Sequence, residues 1–380
     1  MSTRVARVAP DRARKRRDRR EKKRACGEKK APATRTFTGA ERCGLAPARV
    51  SRPTRAMLPD APVSACDTDF SGMGIYVDGR VKNELDELLA TKPASDLTAR
   101  DVHLIASMHY LDDQPMLRAA EFFGLTAKDD VEAGGLSEPL DAVAATADDA
   151  ASTRKTILDF GAGFAGDARC LASEFADVRV TCVEVQRHIH DAAEMFTRLL
   201  GLGKNCLHEC VDVFDTRGGL DADADAVAGT VPGAPFDFLY SVLVVLHVPQ
   251  REALWRALHA NLKPGAAVYV EDYFAARPLS ERDREQLAGP VACPYLPSAE
   301  EYRETLNKAG FVDVEWEVMT DAWTPFIETR LASFREKQER NLRVHGPELT
   351  AELELFYATV HELFTRGNVG GVRIRARKKG

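Results

Sequence analysis

The chain has 380 residues, 44% hydrophobic and 29% charged, enough to bury a sizeable core and typical of a globular enzyme. No run approaches the ~18 apolar residues of a membrane span; the longest, Leu239 to Val248, contains Ser241 and His247, so no spanning helix is expected. The net charge of −6 hides an asymmetry: residues 1–60 hold 19 Lys and Arg against 6 Asp and Glu, leaving 33 basic and 52 acidic residues for the remainder. Eight cysteines at irregular spacings, with no CxxC pair, predict free thiols in a reducing compartment rather than a disulfide scaffold.

Residues 1–66 are rich in Arg, Lys, Ala and Pro, and the stretch Arg12–Arg24 cannot build a core, which predicts a disordered basic arm. Three readings of it stay open. It can be an organelle-targeting peptide, although Asp11, Asp18, Glu21 and Glu28 argue against that. It can be a nucleic-acid-binding or nuclear-import arm. It can also reflect a start codon placed too early, because Met57 begins a more ordinary sequence. The expected location is cytoplasmic, or organellar if the arm is a transit peptide.

Residues 67–128 read as a helical lid, with helical periodicity over 80–93 and 98–124. Residues 129–155, acidic and Ala/Gly-rich, read as a flexible insertion. Residues 156–380 are expected to form one domain. It alternates strand candidates at Thr156–Phe160, Arg179–Val183, Phe236–Val242 and Ala267–Glu271 with helices near 166–176, 188–200 and 250–261. This pattern predicts an α/β fold with a parallel, doubly wound sheet. A helix at Ser298–Ala309, a strand at Val312–Val318, helical stretches at 324–343 and 348–365, and a last strand at Gly371–Arg377 follow. The segment 324–365 is expected to cap the ligand edge of the sheet.

The most specific motif is Ile157-Leu158-Asp159-Phe160-Gly161-Ala162-Gly163-Phe164-Ala165-Gly166. It follows a strand and opens a helix, as a nucleotide-binding glycine turn does. Glu184 ends the next strand, 21 residues after Gly163, where a carboxylate can accept both ribose hydroxyls. Asp212 follows a third strand and can meet an adenine amine. NAD and S-adenosylmethionine both suit this frame. Asp159, two residues before the first glycine, favours the latter, because it can approach an amino-acid ammonium group. Val185, Val213 and Ser241 complete the expected cofactor set.

Together with the turn Leu262-Lys263-Pro264-Gly265, these motifs resemble the class I S-adenosylmethionine-dependent methyltransferases over about residues 98–380. Finer segments are Met108-His109-Tyr110-Leu111, Glu271-Asp272-Tyr273, Tyr302 to Phe311, and Gly367-Asn368-Val369-Gly370-Gly371. They resemble the phosphoethanolamine and sarcosine/dimethylglycine N-methyltransferases and the algal methylthiohydroxybutyrate S-methyltransferases of dimethylsulfoniopropionate synthesis. The resemblance implies a Rossmann-like, seven-stranded, mostly parallel sheet, S-adenosylmethionine as cofactor, a small-molecule acceptor, and His247 at the acceptor site. It also implies an aspartate four residues before that histidine in the N-methylating members, where this chain has Leu243.

A buried ammonium without an anion is costly, so the expectation leans to a neutral nucleophile: S-methylation of the thioether methylthiohydroxybutyrate. N-methylation of glycine, sarcosine, dimethylglycine or phosphoethanolamine is the alternative. His247, Asp272 and Tyr110 are the expected catalytic residues. Tyr273, Tyr295 and Trp323 are aromatic candidates against a cationic product, and Arg330 a candidate for an acceptor carboxylate. No nucleic-acid partner is expected, given the acidic body and the absence of an Asn/Asp-Pro-Pro-Tyr/Phe motif; oligomeric state is left open. No metal is expected either. Asp221, Asp223 and Asp225 imitate a calcium loop, but Ala226 and Pro232 replace its glycine and glutamate. Cys206, His208 and Cys210 read as thiols and an imidazole beside the adenine site. His188 and His190 read as exposed.

Overall fold

The computed structural model describes residues 73–133, 154–214 and 230–380, all within a unit spanning Leu58–Gly380. The basic arm, most of the acidic insertion and the Asp221–Asp225 loop lie outside the described residues.

Seven strands form one sheet: β1 (Lys155–Phe160), β2 (Val178–Val183), β3 (Cys206–Glu209), β4 (Phe236–Val242), β5 (Leu262–Ala275), β6 (Phe311–Val318) and β7 (Val369–Lys378). Their order is β3-β2-β1-β4-β5-β7-β6. The first five run parallel, and β7 inserts antiparallel between β5 and β6. The mostly parallel Rossmann-like sheet expected from the sequence is therefore present. β1 is buried from Ile157 to Phe160, as a central strand covered on both faces requires. The order reverses between β1 and β4, and ligands of open α/β sheets bind outside the carboxyl ends at such a point.

Among the described residues four helices precede β1: α1 (Asp78–Leu89), α2 (Ala99–Ala106), α3 (Gln114–Phe123) and α4 (Lys128–Ala133). A single helical turn, Gly74–Tyr76, leads into α1. The helix expected over 98–124 is two helices. Thr98 and Asp101 cap α2 reciprocally, and residues 107–113 then leave the helix, with Leu111 and Asp112 at φ 62° and 53°. Periodicity continues across the break because both helices bury the same kind of apolar face, Val102 and Ala106 on α2, Met116 and Ala120 on α3. The start of the expected flexible insertion, Lys128–Ala133, is helical.

Around the sheet lie α5 (Gly166–Glu174), α6 (Arg187–Leu199), α7 (Arg251–Ala260), α8 (Glu281–Ala288) and α9 (Ala299–Lys308). Between β6 and β7 come α10 (Thr320–Glu336) and α11 (Gln338–Arg366), the latter kinked at Gly346 (φ 78°, ψ 171°). This C-terminal cap is pinned at both ends. Met319 N donates to Gly371 O at 2.8 Å, and Arg366 and Asn368 both bond the buried Asp283. Gly371 leaves room for the fully buried Trp323: a Cβ there would lie 2.1 Å from the indole. Among the described residues no helix is long and apolar enough to cross a membrane.

Candidate active site

A cleft opens at the carboxyl ends of β1, β2 and β4, walled by the glycine turn, the loop 107–110 and the turn carrying Tyr76. Gly161 and Gly163 adopt φ 67° and 55°, the left-handed region that glycine tolerates. Side chains crowd both: a Cβ at Gly161 would meet Val244 at 2.1 Å, and one at Gly163 would meet the Met108 methyl at 2.7 Å. Glu184, at the end of β2, is aimed over this turn. Its carboxylate accepts from Gly163 N at 3.1 Å and Gln186 N at 2.8 Å. Burial raises its pKa against those bonds. Asp212 lines the same end and accepts from Phe214 N at 2.9 Å.

Asp159 lines the middle of the cleft. Burial first, then Asp167, Cys206 and Glu184, push its carboxyl well above the ordinary range, so a cation arriving here would be stabilised. A buried carboxylate short of positive charge, a second carboxylate held over a glycine turn, and a third one strand further on suit the ammonium, ribose and adenine of S-adenosylmethionine. The residues present therefore fit that cofactor.

At the other end, Tyr76 donates to His247 Nε2 at 2.7 Å, and His247 Nδ1 donates to Ala292 O at 2.9 Å. The carbonyl can only accept, which fixes the proton on Nδ1 and leaves Nε2 as the basic nitrogen. Burial pushes the imidazole down to about 4, so it is neutral near pH 7. Tyr110 and Tyr273 share a hydrogen bond between their hydroxyls in the adjoining wall. Leu243 lies beside them with φ 56°.

Asp167 ties the lid to the glycine turn. It lies 2.7 Å from His103 Nε2 and 2.9 Å from His109 Nε2, and it accepts from Tyr240 at 2.5 Å. Burial would raise its pKa, but His109 and His103 hold it far below the usual carboxylate range. Asp167 also raises His109 against the effect of burial. This anchor brings Met108 over Gly163.

Of the residues singled out in the sequence, Asp159, Gly161, Ala162, Gly163, Glu184, Val185, Asp212, Val213, Tyr110, Tyr273 and His247 line this one cleft. Five others do not. Ser241 and Asp272 are one residue away from cleft-lining Tyr240 and Tyr273, and successive strand side chains point to opposite faces. Ser241 bonds Phe160 O at 2.9 Å. Asp272, fully buried, accepts from Tyr302 at 2.9 Å and Leu246 N at 3.2 Å. Trp323 packs behind Tyr110, ring centroids 5.0 Å apart. Arg330 donates to His109 O at 2.6 Å and stacks on Phe326. Tyr295 is exposed, outside the cleft. Two further differences concern histidine and cysteine: His190 is buried, not exposed, and the thiol nearest Cys206 is Cys182 on the neighbouring strand, not Cys210.

The sequence reading missed Tyr76, Met108 and Asp167 as site residues. Only Met108 stood in a quoted motif. Asp167, directly after Gly166, was readable as a polar residue at the start of a helix that should be buried, whereas nothing local marks Tyr76.

Residues 134–315 match the family model described as Methyltransferase domain. That match covers just under half of the chain. That family is S-adenosylmethionine-dependent, so the enzyme class and cofactor implied by the sequence stand for this domain. The chain is 28% identical over 193 residues to a wheat (Triticum aestivum) phosphoethanolamine N-methyltransferase, covering 50% of this chain and 35% of that protein. It is 28% identical over 166 residues to phosphoethanolamine N-methyltransferase 2 of Caenorhabditis elegans, covering 44% and 34%. The chain thus spans about a third of the length of these curated relatives. In fold it resembles Haemonchus contortus phosphoethanolamine N-methyltransferase 2 in complex with phosphomonomethylethanolamine and S-adenosylhomocysteine. The TM-score is 0.58 at 19% identity, covering 78% of this chain and 59% of that one. It also resembles a Galdieria sulphuraria protein described as a sarcosine dimethylglycine methyltransferase, with TM-score 0.52, 16% identity and coverage of 78% and 97%.

Proposed function

We propose that the chain is a methyltransferase of the phosphoethanolamine N-methyltransferase type, transferring a methyl group to the nitrogen of a small amine, and that Tyr76 and His247 handle its proton. The observation that carries this reading is the Tyr76–His247 hydrogen bond, with Nδ1 already committed to Ala292. Bound S-adenosylmethionine supplies the methyl group as an electrophilic sulfonium. Asp159 holds its ammonium, Glu184 its ribose and Asp212 its adenine amine, while Met108 and Val244 exclude water above the glycine turn.

An amine attacks only through its lone pair. The Tyr76 oxygen accepts the acceptor's N–H proton as its own O–H proton passes to His247 Nε2, so the charge ends on a buried imidazole. Tyr110 and Tyr273 offer hydroxyls and ring faces to the cationic product. Residues 73–128 act as the lid and 324–365 as the acceptor cap. The compartment is cytoplasmic, or organellar if the basic arm is a transit peptide.

One observation favours a second reading. Leu243 places an apolar side chain where an amine would be served by an acid, which suits thioether S-methylation, with methylthiohydroxybutyrate the specific acceptor. A thioether has no proton to lose. Mass spectrometry of the enzyme with S-adenosylmethionine and a panel of phosphoethanolamine, glycine, sarcosine, dimethylglycine and methylthiohydroxybutyrate separates the two. Amine turnover that falls about 100-fold or more in Tyr76→Phe is the expected outcome. Turnover of the thioether alone, unaffected by Tyr76→Phe, refutes the amine reading.

A further inference from the structure

On the far side of β2 from the glycine turn, three side chains with soft donor atoms converge. Cys182 lies on β2; Cys206 and His208 lie two apart on the same face of the edge strand β3, where Cys182 pairs in register with His208. Cys182 Sγ is 3.7 Å from Cys206 Sγ, and Cys206 Sγ is 3.7 Å from His208 Nε2. All three donor atoms lie within 4.8 Å of one another. Thr197 Oγ1 of α6 closes a fourth side, 2.8 Å from His208 Nε2 and 3.9 Å from Cys206 Sγ.

These separations have a chemical meaning. Zinc–sulfur bonds of about 2.3 Å and zinc–nitrogen bonds of about 2.0–2.1 Å at tetrahedral angles put sulfur about 3.8 Å from sulfur and about 3.6 Å from nitrogen. The observed 3.7 Å spacings match both edges. A disulfide needs about 2.05 Å. The other group of potential ligands, His103, His109 and Asp167, differs: its contacts of 2.7 and 2.9 Å are hydrogen-bond lengths, and Asp167 is already spent on holding the lid.

We propose that Cys182, Cys206 and His208 form a binding site for a thiophilic divalent cation of the zinc class, with the fourth position filled by water or the Thr197 hydroxyl. Two thiolates and a neutral imidazole balance a divalent charge, and loss of the thiol protons accompanies binding. His208 is half-buried and gives a route in from solvent, whereas both cysteines are buried. An ion here cross-links β2, which ends in Glu184, to β3, which leads to Asp212. Occupancy therefore stiffens the two strands that carry the ribose and adenine carboxylates.

The test uses the full chain, stripped with a chelator and titrated with Co²⁺. One equivalent is expected to give the intense visible bands of tetrahedral cobalt and a thiolate-to-cobalt charge-transfer band, both displaced by Zn²⁺. The charge-transfer band should weaken in Cys182→Ser and Cys206→Ser and persist in Cys210→Ser. Should a buried Cys→Ser variant fail to fold, His208→Ala on the accessible side is expected to weaken Co²⁺ binding tenfold or more. Absence of a charge-transfer band at stoichiometric Co²⁺, or bands unchanged in folded Cys206→Ser and His208→Ala, overturns the proposal and leaves a hydrogen-bonded thiol pair.

Discussion

Replacing His247 by Asn tests whether the acceptor end is built around a neutral imidazole. Asn keeps a donor for Ala292 O but offers no ring nitrogen to Tyr76. In the folded chain burial lowers the imidazole from 6.5 to about 4, whereas the unfolded chain has the ordinary value. The unfolded state therefore takes up a proton first, and the stability due to His247 is complete above pH 6.5 and lost as pH falls toward 4. At about 1.4 kcal/mol per tenfold change in proton affinity, the loss is about 2 kcal/mol by pH 5 and about 3 kcal/mol by pH 4. Urea denaturation of both proteins between pH 7 and 4 measures it, and taking the difference cancels the carboxylates that titrate in the same range. The wild type should be the more stable at pH 7, and its advantage should shrink by those amounts. Parallel curves, within about 0.5 kcal/mol over the whole range, would falsify the claim that burial keeps His247 neutral.

Two further substitutions probe the cap and the cofactor end. Gly371→Ala puts a methyl 2.1 Å from the Trp323 ring and should cost about 1–3 kcal/mol as overpacking, with Trp323→Phe recovering part of it; an unchanged urea midpoint would show that the cap yields freely. Asp159→Asn removes a buried carboxyl whose charge is disfavoured by burial, so the protein alone should be at least as stable as wild type. Its affinity for S-adenosylhomocysteine in calorimetry should nonetheless fall about 10- to 100-fold, the worth of one charge-assisted hydrogen bond. Equal affinity would remove Asp159 from the ammonium site.

The cofactor half was legible in the sequence because its chemistry is carried by short segments at strand ends. Asp159, Gly161, Gly163 and Glu184 lie on consecutive βα turns, where spacing alone places them on one edge. The acceptor half was not. Tyr76 reaches His247 across 171 positions, from a three-residue turn with no periodicity of its own. The parity of β5 sends Tyr273 to the cleft and Asp272 to the opposite layer, and neighbours on a strand cannot be ranked for function until it is known which face is covered. The helix break at 107–113 was hidden in the same way: within it His109 lies 2.9 Å from Asp167 on another helix, a contact that no local pattern announces. Cys182 joins Cys206 only through the pairing of β2 with β3, which no spacing encodes.

The cap enters and leaves the domain at almost one point, because β6 and β7 are hydrogen-bonded neighbours and Met319 bonds Gly371 across that junction. Residues 320–366 therefore behave as a cassette whose two sockets belong to the sheet. The turn that carries Tyr76 leans on this cassette, a Cβ at Gly74 lying 2.9 Å from Leu349 Cδ1, so a change inside the cap reaches Tyr76 as directly as it reaches the sheet.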